Sequence, residues 1–337
     1  MLIHDPYYDI KAVSNSSLSH INPSQEGTPS KFKANWDGTA PSLRTASLEF
    51  GNLVHLAVLE PHLLNYVVDK TNTPDKIRDI VNTVFNKVKA EPDPFMLEDV
   101  KVKSFESYYP AIMSAVEEHN YGANWKEDTR LRKVLESGGS YFTTLAEAAN
   151  EGKFVITSTM EERLKHCITG IERDNYGKRL LEEDNEKEVE YFNEQEVQWT
   201  DKRYSFPLKG KIDRLRVDHL NKEFTVIDLK TTAKKLANFK ESFEKYHYAR
   251  QMAAYISAAS VWCQQTFGET YKPTHKHIIV AVETSGDYRC GRFLIKNKTI
   301  NAGKEEFDSL LDRLNYHFQS NDWINDKEYA EQQCYSI

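Results

Sequence analysis

Cysteine is scarce in this chain, and the four present, Cys167, Cys263, Cys290 and Cys334, never approach a C-x-x-C spacing. That excludes a zinc ribbon and a disulfide framework, and the thiols read as reduced. Long apolar runs are lacking as well. No stretch of about 18 hydrophobic residues occurs, so no membrane-spanning helix is expected. The start, Met1-Leu2-Ile3-His4-Asp5-Pro6, has neither the basic nor the apolar region of a signal peptide, which makes the cytoplasm the expected compartment. Internal repeats are missing, as is any linker polar or long enough to impose a boundary. The expectation is one domain over 1–337, mainly helical over 1–185, with a sheet-bearing core over 186–320 and a tail over 321–337.

Positive charge is in the minority. The formal net charge is −7, which taken as a sum argues against a polyanionic partner. Its distribution argues the other way: residues 201–250 hold thirteen Lys and Arg against seven Asp and Glu, so this segment carries +6 and the remainder −13. A local basic excess of this kind is where phosphates would lie.

Apolar residues recur at helical spacing from Ser42 to the stop at Pro61, over 74–90, near 104–118 and 124–136, and in the helix begun by the capping box Ser158-Thr159-Met160-Glu161. Ser14-Asn15-Ser16-Ser17-Leu18 offers caps to a short helix near the start. The period then changes. Segments near 187–199, 203–217 and 223–230 read as strands, a helix spans about 243–267, strands return at 275–283 and 289–296, and a helix through Phe307, Leu310, Leu311 and Leu314 follows.

Two acids and a lysine stand out on this pattern. Strand alternation puts Lys211 and Asp213 on one face of the first hairpin strand, and Asp228 and Lys230 on one face of the second. A short loop over His219 to Lys222 sets position 213 opposite position 228. Facing carboxylates have Cβ atoms roughly 5 Å apart and repel unless a cation lies between them. Ile212, Leu215, Val217, Phe224, Val226, Ile227 and Leu229 make the surroundings apolar, where an unsatisfied carboxylate is costly. A shared divalent ion resolves both conflicts. The following helix carries Gln251 and Tyr255 four residues apart on one face, aimed along the pocket. Upstream, Gly51-Asn52-Leu53-Val54-His55 sets an imidazole in an otherwise apolar helix, with Gly51 permitting close backbone approach on the same face.

Taken together, these residues resemble the PD-(D/E)xK nuclease superfamily, and within it the RecE (exodeoxyribonuclease VIII) type of phage and prophage exonuclease, related to RecB-type nuclease domains. The likeness rests on Ser14 to Leu18, Leu48-Glu49-Phe50-Gly51-Asn52-Leu53-Val54-His55 running to Pro61, Lys209-Gly210-Lys211-Ile212-Asp213, Ile227-Asp228-Leu229-Lys230-Thr231, and Gln251-x-x-x-Tyr255. It spans roughly residues 12 to 315.

The resemblance implies an α/β, restriction-endonuclease-like core with a central mixed β-sheet flanked by helices and a largely helical N-terminal region. It makes His55, Asp213, Asp228 and the Leu229 carbonyl metal ligands, gives Lys230 the catalytic lysine role, and has Gln251 and Tyr255 support the site. Lys209, Lys211, Arg214, Thr231, Lys234 and Arg250 are the expected DNA contacts. Glu190 is a candidate for an acidic position seen in relatives, and Lys211 stands where many relatives have arginine. The implied cofactor is Mg²⁺, with Mn²⁺ able to substitute. The cysteine spacing of relatives that hold an iron–sulfur cluster is lacking, so no cluster is expected.

The implied activity is digestion of duplex DNA from 5′ ends, leaving 3′ strands for a single-strand annealing recombinase. A ring-shaped homo-oligomer, a tetramer being one size, and a phage or prophage origin in a bacterial host complete it. A catalytically silent DNA-binding or assembly protein on the same scaffold and a structure-specific endonuclease are the alternatives.

Overall fold

A computed structural model of the chain describes residues 5–40, 45–90, 104–182 and 188–328. Its elements, in chain order, are helices α1 (Asn15–Leu18), α2 (Pro29–Trp36) and α3 (Ala46–Leu59), strand β1 (Tyr66–Asp69), helices α4 (Asp75–Ala90), α5 (Tyr109–Glu118) and α6 (Glu127–Asn150), strand β2 (Phe154–Thr157), helices α7 (Ser158–Arg173) and α8 (Asn175–Leu181), strands β3 (Val189–Trp199), β4 (Leu208–Asp218) and β5 (Glu223–Thr232), helices α9 (Phe239–Lys245) and α10 (Tyr248–Phe267), strands β6 (Thr274–Glu283) and β7 (Cys290–Leu294), and helix α11 (Asn297–Ser320). Among the described residues no helix is long and apolar enough to cross a membrane.

Two compact units divide the chain, one over His62–Arg163 and the other joining His4–Pro61 to Leu164–Ile337. The first packs α4, α5 and α6 around Ile80, Val84, Ile112, Val116, Val134 and Phe142, beside a parallel pair of four-residue strands, β1 and β2. These two strands are additions to the helical N-terminal region the pattern predicts. Helix α6 also runs 24 residues, well beyond the expected 124–136. A Cβ on Gly138 would lie 2.7 Å from Val81 Cγ2, so glycine here lets α4 and α6 approach closely instead of ending the helix.

The second unit holds a five-stranded mixed sheet in the order β3-β4-β5-β6-β7, antiparallel except for the parallel β5–β6 pair. The parallel step needs a crossover, and α9 and α10 supply it. Met252, Ala253, Ile256, Ala258 and Ala259 of α10 pack on Val197, Ile212, Leu215, Val226, Ile279 and Ala281 of the sheet. Strands β4 and β5 are buried along nearly their whole length, as strands covered on both faces are. The result is the mixed α/β architecture the sequence predicts. Near the start, Ser14 caps α1 through a capping box with Ser17, and Val13 adds a parallel bridge to Leu208, so the first turn of the chain is fixed to β4.

His277 on β6 is an internal polar residue with a measurable cost. It is 2% exposed, and neither ring nitrogen has a hydrogen-bond partner among the described residues. Burial, then the neighbouring His275, pushes its pKa down from 6.5 to about 4. The unfolded chain therefore takes up a proton between these values and the folded chain does not. Its contribution is fully present above pH 6.5 and is lost as pH falls toward 4, by about 3 kcal/mol. Urea titrations at pH 7.5 and 4.5 should show His277→Phe losing about that much less stability across the interval than wild type.

Candidate metal centre and active site

The antiparallel β4–β5 ladder runs from Asp218↔Glu223 to Arg214↔Ile227, and one position beyond its last pair stand Asp213 and Asp228, in the register the hairpin predicts. Asp213 accepts a hydrogen bond from the Leu229 N–H at 2.8 Å, so its carboxylate takes the place of a ladder acceptor and is held by the backbone. It is 6% exposed, and Asp228 is 0% exposed.

Helix α3 brings His55 over this point. Thr45 caps the helix by accepting from the Leu48 N–H, and Gly51, one turn before His55, faces the sheet: a Cβ there would lie 3.2 Å from Thr231 Oγ1. At the other end of α3, Asn193 of β3 donates to the Leu59 carbonyl at 2.7 Å and accepts from the buried Arg214 guanidinium at 2.6 Å. His55 Nδ1 is consequently 3.6 Å from Asp213 Oδ2 and 3.8 Å from Glu194 Oε1. One ligand atom from each of His55, Glu194 and Asp213 lies within 4.8 Å of the others. Burial pulls the imidazole pKa down, but the charges of Asp213 and Glu194 outweigh it and the net shift is upward.

Glu194 is the ligand candidate the sequence analysis missed. The acid singled out on this strand, Glu190, pairs with Val217 in the ladder and its carboxylate lies 3.3 Å from His219 Nε2, at the other end of the hairpin. Glu194 is the skipped position between Asn193↔Arg214 and Gln195↔Ile212, opposite Asp213, and its φ is +48°. A left-handed backbone at a non-glycine residue costs on the order of 1 kcal/mol. Glu194→Gln is expected to weaken divalent-metal affinity about tenfold, with Glu190→Gln unchanged, in calorimetric titrations.

Asp228 and Lys230 form the second half of the site. Lys230 Nζ lies 2.6 Å from Asp228 Oδ1 and 5.3 Å from the centre of the Tyr248 ring. Burial pushes the Asp228 carboxyl up to about 6 against the pull of Lys230, with the Asp213 charge adding to the rise. For Lys230, desolvation acts downward but Asp228 and Asp213 reverse it, so the ammonium stays charged. Gln251 Nε2 donates to the Tyr255 hydroxyl at 2.9 Å, and that phenol is raised well above 10 by burial and then by Asp213 and Asp228. The Tyr255 phenol is thus within electrostatic reach of both acids, with Gln251 bonded to it.

Among the expected DNA contacts, Lys211 points toward the cluster, 2.6 Å from Asp5 and 3.4 Å from Glu194. Thr231 lies under Gly51, and Lys234 pairs with Glu241 at the surface. Three others are internal. Lys209 donates to the Tyr7 and Ile10 carbonyls, Arg250 is 1% exposed against Asn15, Ser19 and Glu306, and Arg214 stacks on Tyr191 beside Asn193. Their charge fastens the N-terminal segment and α3 to the sheet.

Asp228 Oδ2 is buried and has no hydrogen-bond partner among the described residues. Leaving a buried carboxylate oxygen unpaired is costly, and a cation relieves that cost. Carboxylate oxygens from Asp213, Glu194 and Asp228 with one imidazole suit a hard or borderline divalent ion. The residues present fit such a group.

The profile of the PD-(D/E)XK nuclease superfamily matches residues 28–322. The chain belongs to this superfamily. It is therefore a nuclease, its family uses divalent metals, and nucleic acid is its partner. No curated protein matches the chain. Among solved structures it is similar to a candidate exonuclease of Eubacterium rectale, at 8% identity and a TM-score of 0.49 over 100% of this chain and 95% of that one. It is also similar to SSO0001, at 14% identity and a TM-score of 0.24 over 77% of this chain and 85% of that one. Membership in the superfamily rests on the profile match.

Proposed function

We propose that the chain is a Mg²⁺-dependent deoxyribonuclease, and within that class a 5′–3′ exonuclease on duplex ends. The observation that carries the reading is the convergence of Asp213, Glu194 and His55 beside the Asp228–Lys230 pair, with one Asp228 oxygen buried and unpaired. Asp213, Asp228, Glu194 and His55 would hold the ion. When bound, it supplies Lewis-acid polarisation of a phosphate and a water of lowered pKa.

The chain's own groups do the rest. The Lys230 ammonium, kept protonated by its two acids, faces the negative charge that grows on phosphorus oxygens during in-line attack. Lys211 offers a second cation to the substrate backbone, in exchange for Asp5. Tyr255, whose phenol stays neutral, and Gln251 orient groups at the pocket edge. The 5′ polarity, the annealing recombinase, the ring-shaped homo-oligomer and the phage or prophage setting are supported by the resemblance of the five sequence elements to RecE-type exonucleases.

An assay on end-labelled linear duplex DNA tests this reading. Mg²⁺ should release 5′-labelled mononucleotides, EDTA should abolish release, and closed circles should persist. Cutting of closed circles would make the enzyme an endonuclease, and metal binding without cleavage of any DNA would favour the catalytically silent scaffold.

A further inference from the structure

Two solvent-facing tyrosines stand on either side of the acids and have no part in the chemistry above. Tyr8, 69% exposed, belongs to the short 3₁₀ turn Pro6–Asp9. Its ring meets Tyr7 edge-on at 5.4 Å, and the Lys209 and Lys211 ammonium groups lie 4.5 and 6.0 Å from the centre of the Tyr7 ring. Lys211 in turn reaches Glu194 at 3.4 Å, which puts Tyr8 on the β3–β4 side of the site. Tyr246, 51% exposed, sits at the end of α9. Its ring lies 5.8 Å from that of Tyr248, over which the Lys230 ammonium sits at 5.3 Å. Tyr248 is 6.0 Å from Phe239, which stacks on Phe293 of β7 at 4.6 Å, so Tyr246 is on the β5–β7 side. Tyr8 thus goes with the strands of Glu194 and Asp213, and Tyr246 with the strand of Asp228 and Lys230.

Cations lie near both. Lys245 Nζ is 5.3 Å from the centre of the Tyr246 ring, and Lys211 is 6.0 Å from the centre of the Tyr7 ring that Tyr8 meets edge-on. Alternating aromatic faces and ammonium groups form the surface on which an unpaired strand lies, bases on rings and phosphates on cations. Inside a duplex both faces of a base pair are covered by neighbouring pairs, so a protein ring can stack only on an unpaired or terminal base. The burial of Asp228 and half-burial of Lys230 add to this, since a phosphate must leave the surface of its helix to meet them.

We propose that Tyr8 and Tyr246 are base-stacking platforms flanking the scissile phosphate, and that the strand entering this site is single-stranded there. The inference rests on the nuclease reading of the acids and adds the state of the substrate. A duplex end is accepted, on this account, only after its last pairs have opened.

The test is fluorescence anisotropy with full-length protein in Ca²⁺, using a labelled single-stranded oligonucleotide and a labelled, covalently closed circular duplex, which has neither ends nor unpaired loops. Tyr8→Ala and Tyr246→Ala should each weaken single-strand binding about tenfold. Tyr8→Phe and Tyr246→Phe should restore it, and affinity for the closed duplex should change less than twofold. Tyr176→Ala, at an exposed ring stacked against Arg292, should bind as wild type. Unchanged single-strand binding in the two Ala variants, or equal losses on the closed duplex, overturns the proposal. If wild type cleaves DNA while these variants bind normally, the platforms fall and the nuclease reading stands. If the variants lose binding but wild type never cleaves, the platforms stand and that reading falls. Absence of binding by wild type overturns both.

Discussion

Replacing Asp228 by Asn should lower phosphodiester cleavage about a thousandfold, equivalent to roughly 4 kcal/mol of transition-state stabilisation, and leave the fold intact. The two halves of this expectation come from one fact, the complete burial of the carboxyl. Burial holds its pKa at about 6, above the unfolded value near 3.8, so at neutral pH the carboxyl is ionised at a cost in stability to the metal-free fold. An amide of the same shape removes that charge, and its oxygen still accepts from the Lys230 ammonium. Thermal unfolding in EDTA should therefore give Asp228→Asn a Tm equal to or above wild type, while Mg²⁺ raises the Tm of wild type alone. Lys230→Met should also reduce the rate, by about a hundredfold through loss of a cation beside the developing charge. A fall in activity accompanied by a lowered Tm in EDTA would assign Asp228 to stability instead.

The second large effect is on metal affinity as a function of pH. A carboxylate binds the ion only after giving up its proton, and the Asp228 proton leaves near pH 6. Lowering the pH from 7 to 5 should weaken apparent affinity about tenfold through this group alone. His55 is shifted upward by Asp213 and Glu194 despite its burial, so its proton must leave too and the fall should be steeper than one group gives. Calorimetry in buffers of different ionisation enthalpy counts these protons directly. The Asp228→Asn variant should show a shallower pH dependence, because only the imidazole proton remains to be displaced.

What was legible in the sequence is what strand periodicity and local spacing control. The β4–β5 hairpin, its register at 213 and 228, and the Gln251–Tyr255 face of α10 depend on side-chain alternation and on a four-residue helical step. Gly51 was readable for a similar reason, since it shares a helix face with His55 and that face meets Thr231. The rest depended on contacts between distant segments. Glu194 needs the β3–β4 register, which the irregular connection between Trp199 and Leu208 hides, and a left-handed φ that no residue type at that position announces. Lys209 and Arg250 carry charge suited to phosphate, yet their partners are Tyr7, Ile10, Asn15, Ser19 and Glu306, brought in by the N-terminal segment and α11. Strands β1 and β2 are four residues each and pair across most of the first unit, too short for a period to show.

The account depends on one ion shared by the acids of three neighbouring strands, and a crystal of the protein soaked in Mn²⁺ addresses it directly through anomalous scattering. The predicted result is a single strong peak with oxygens of Asp213 and Glu194 and Oδ2 of Asp228 at about 2.1 Å and a His55 nitrogen at similar range, with Lys230 still on Oδ1 of Asp228. A peak elsewhere in the molecule, or none at saturating Mn²⁺, would contradict it.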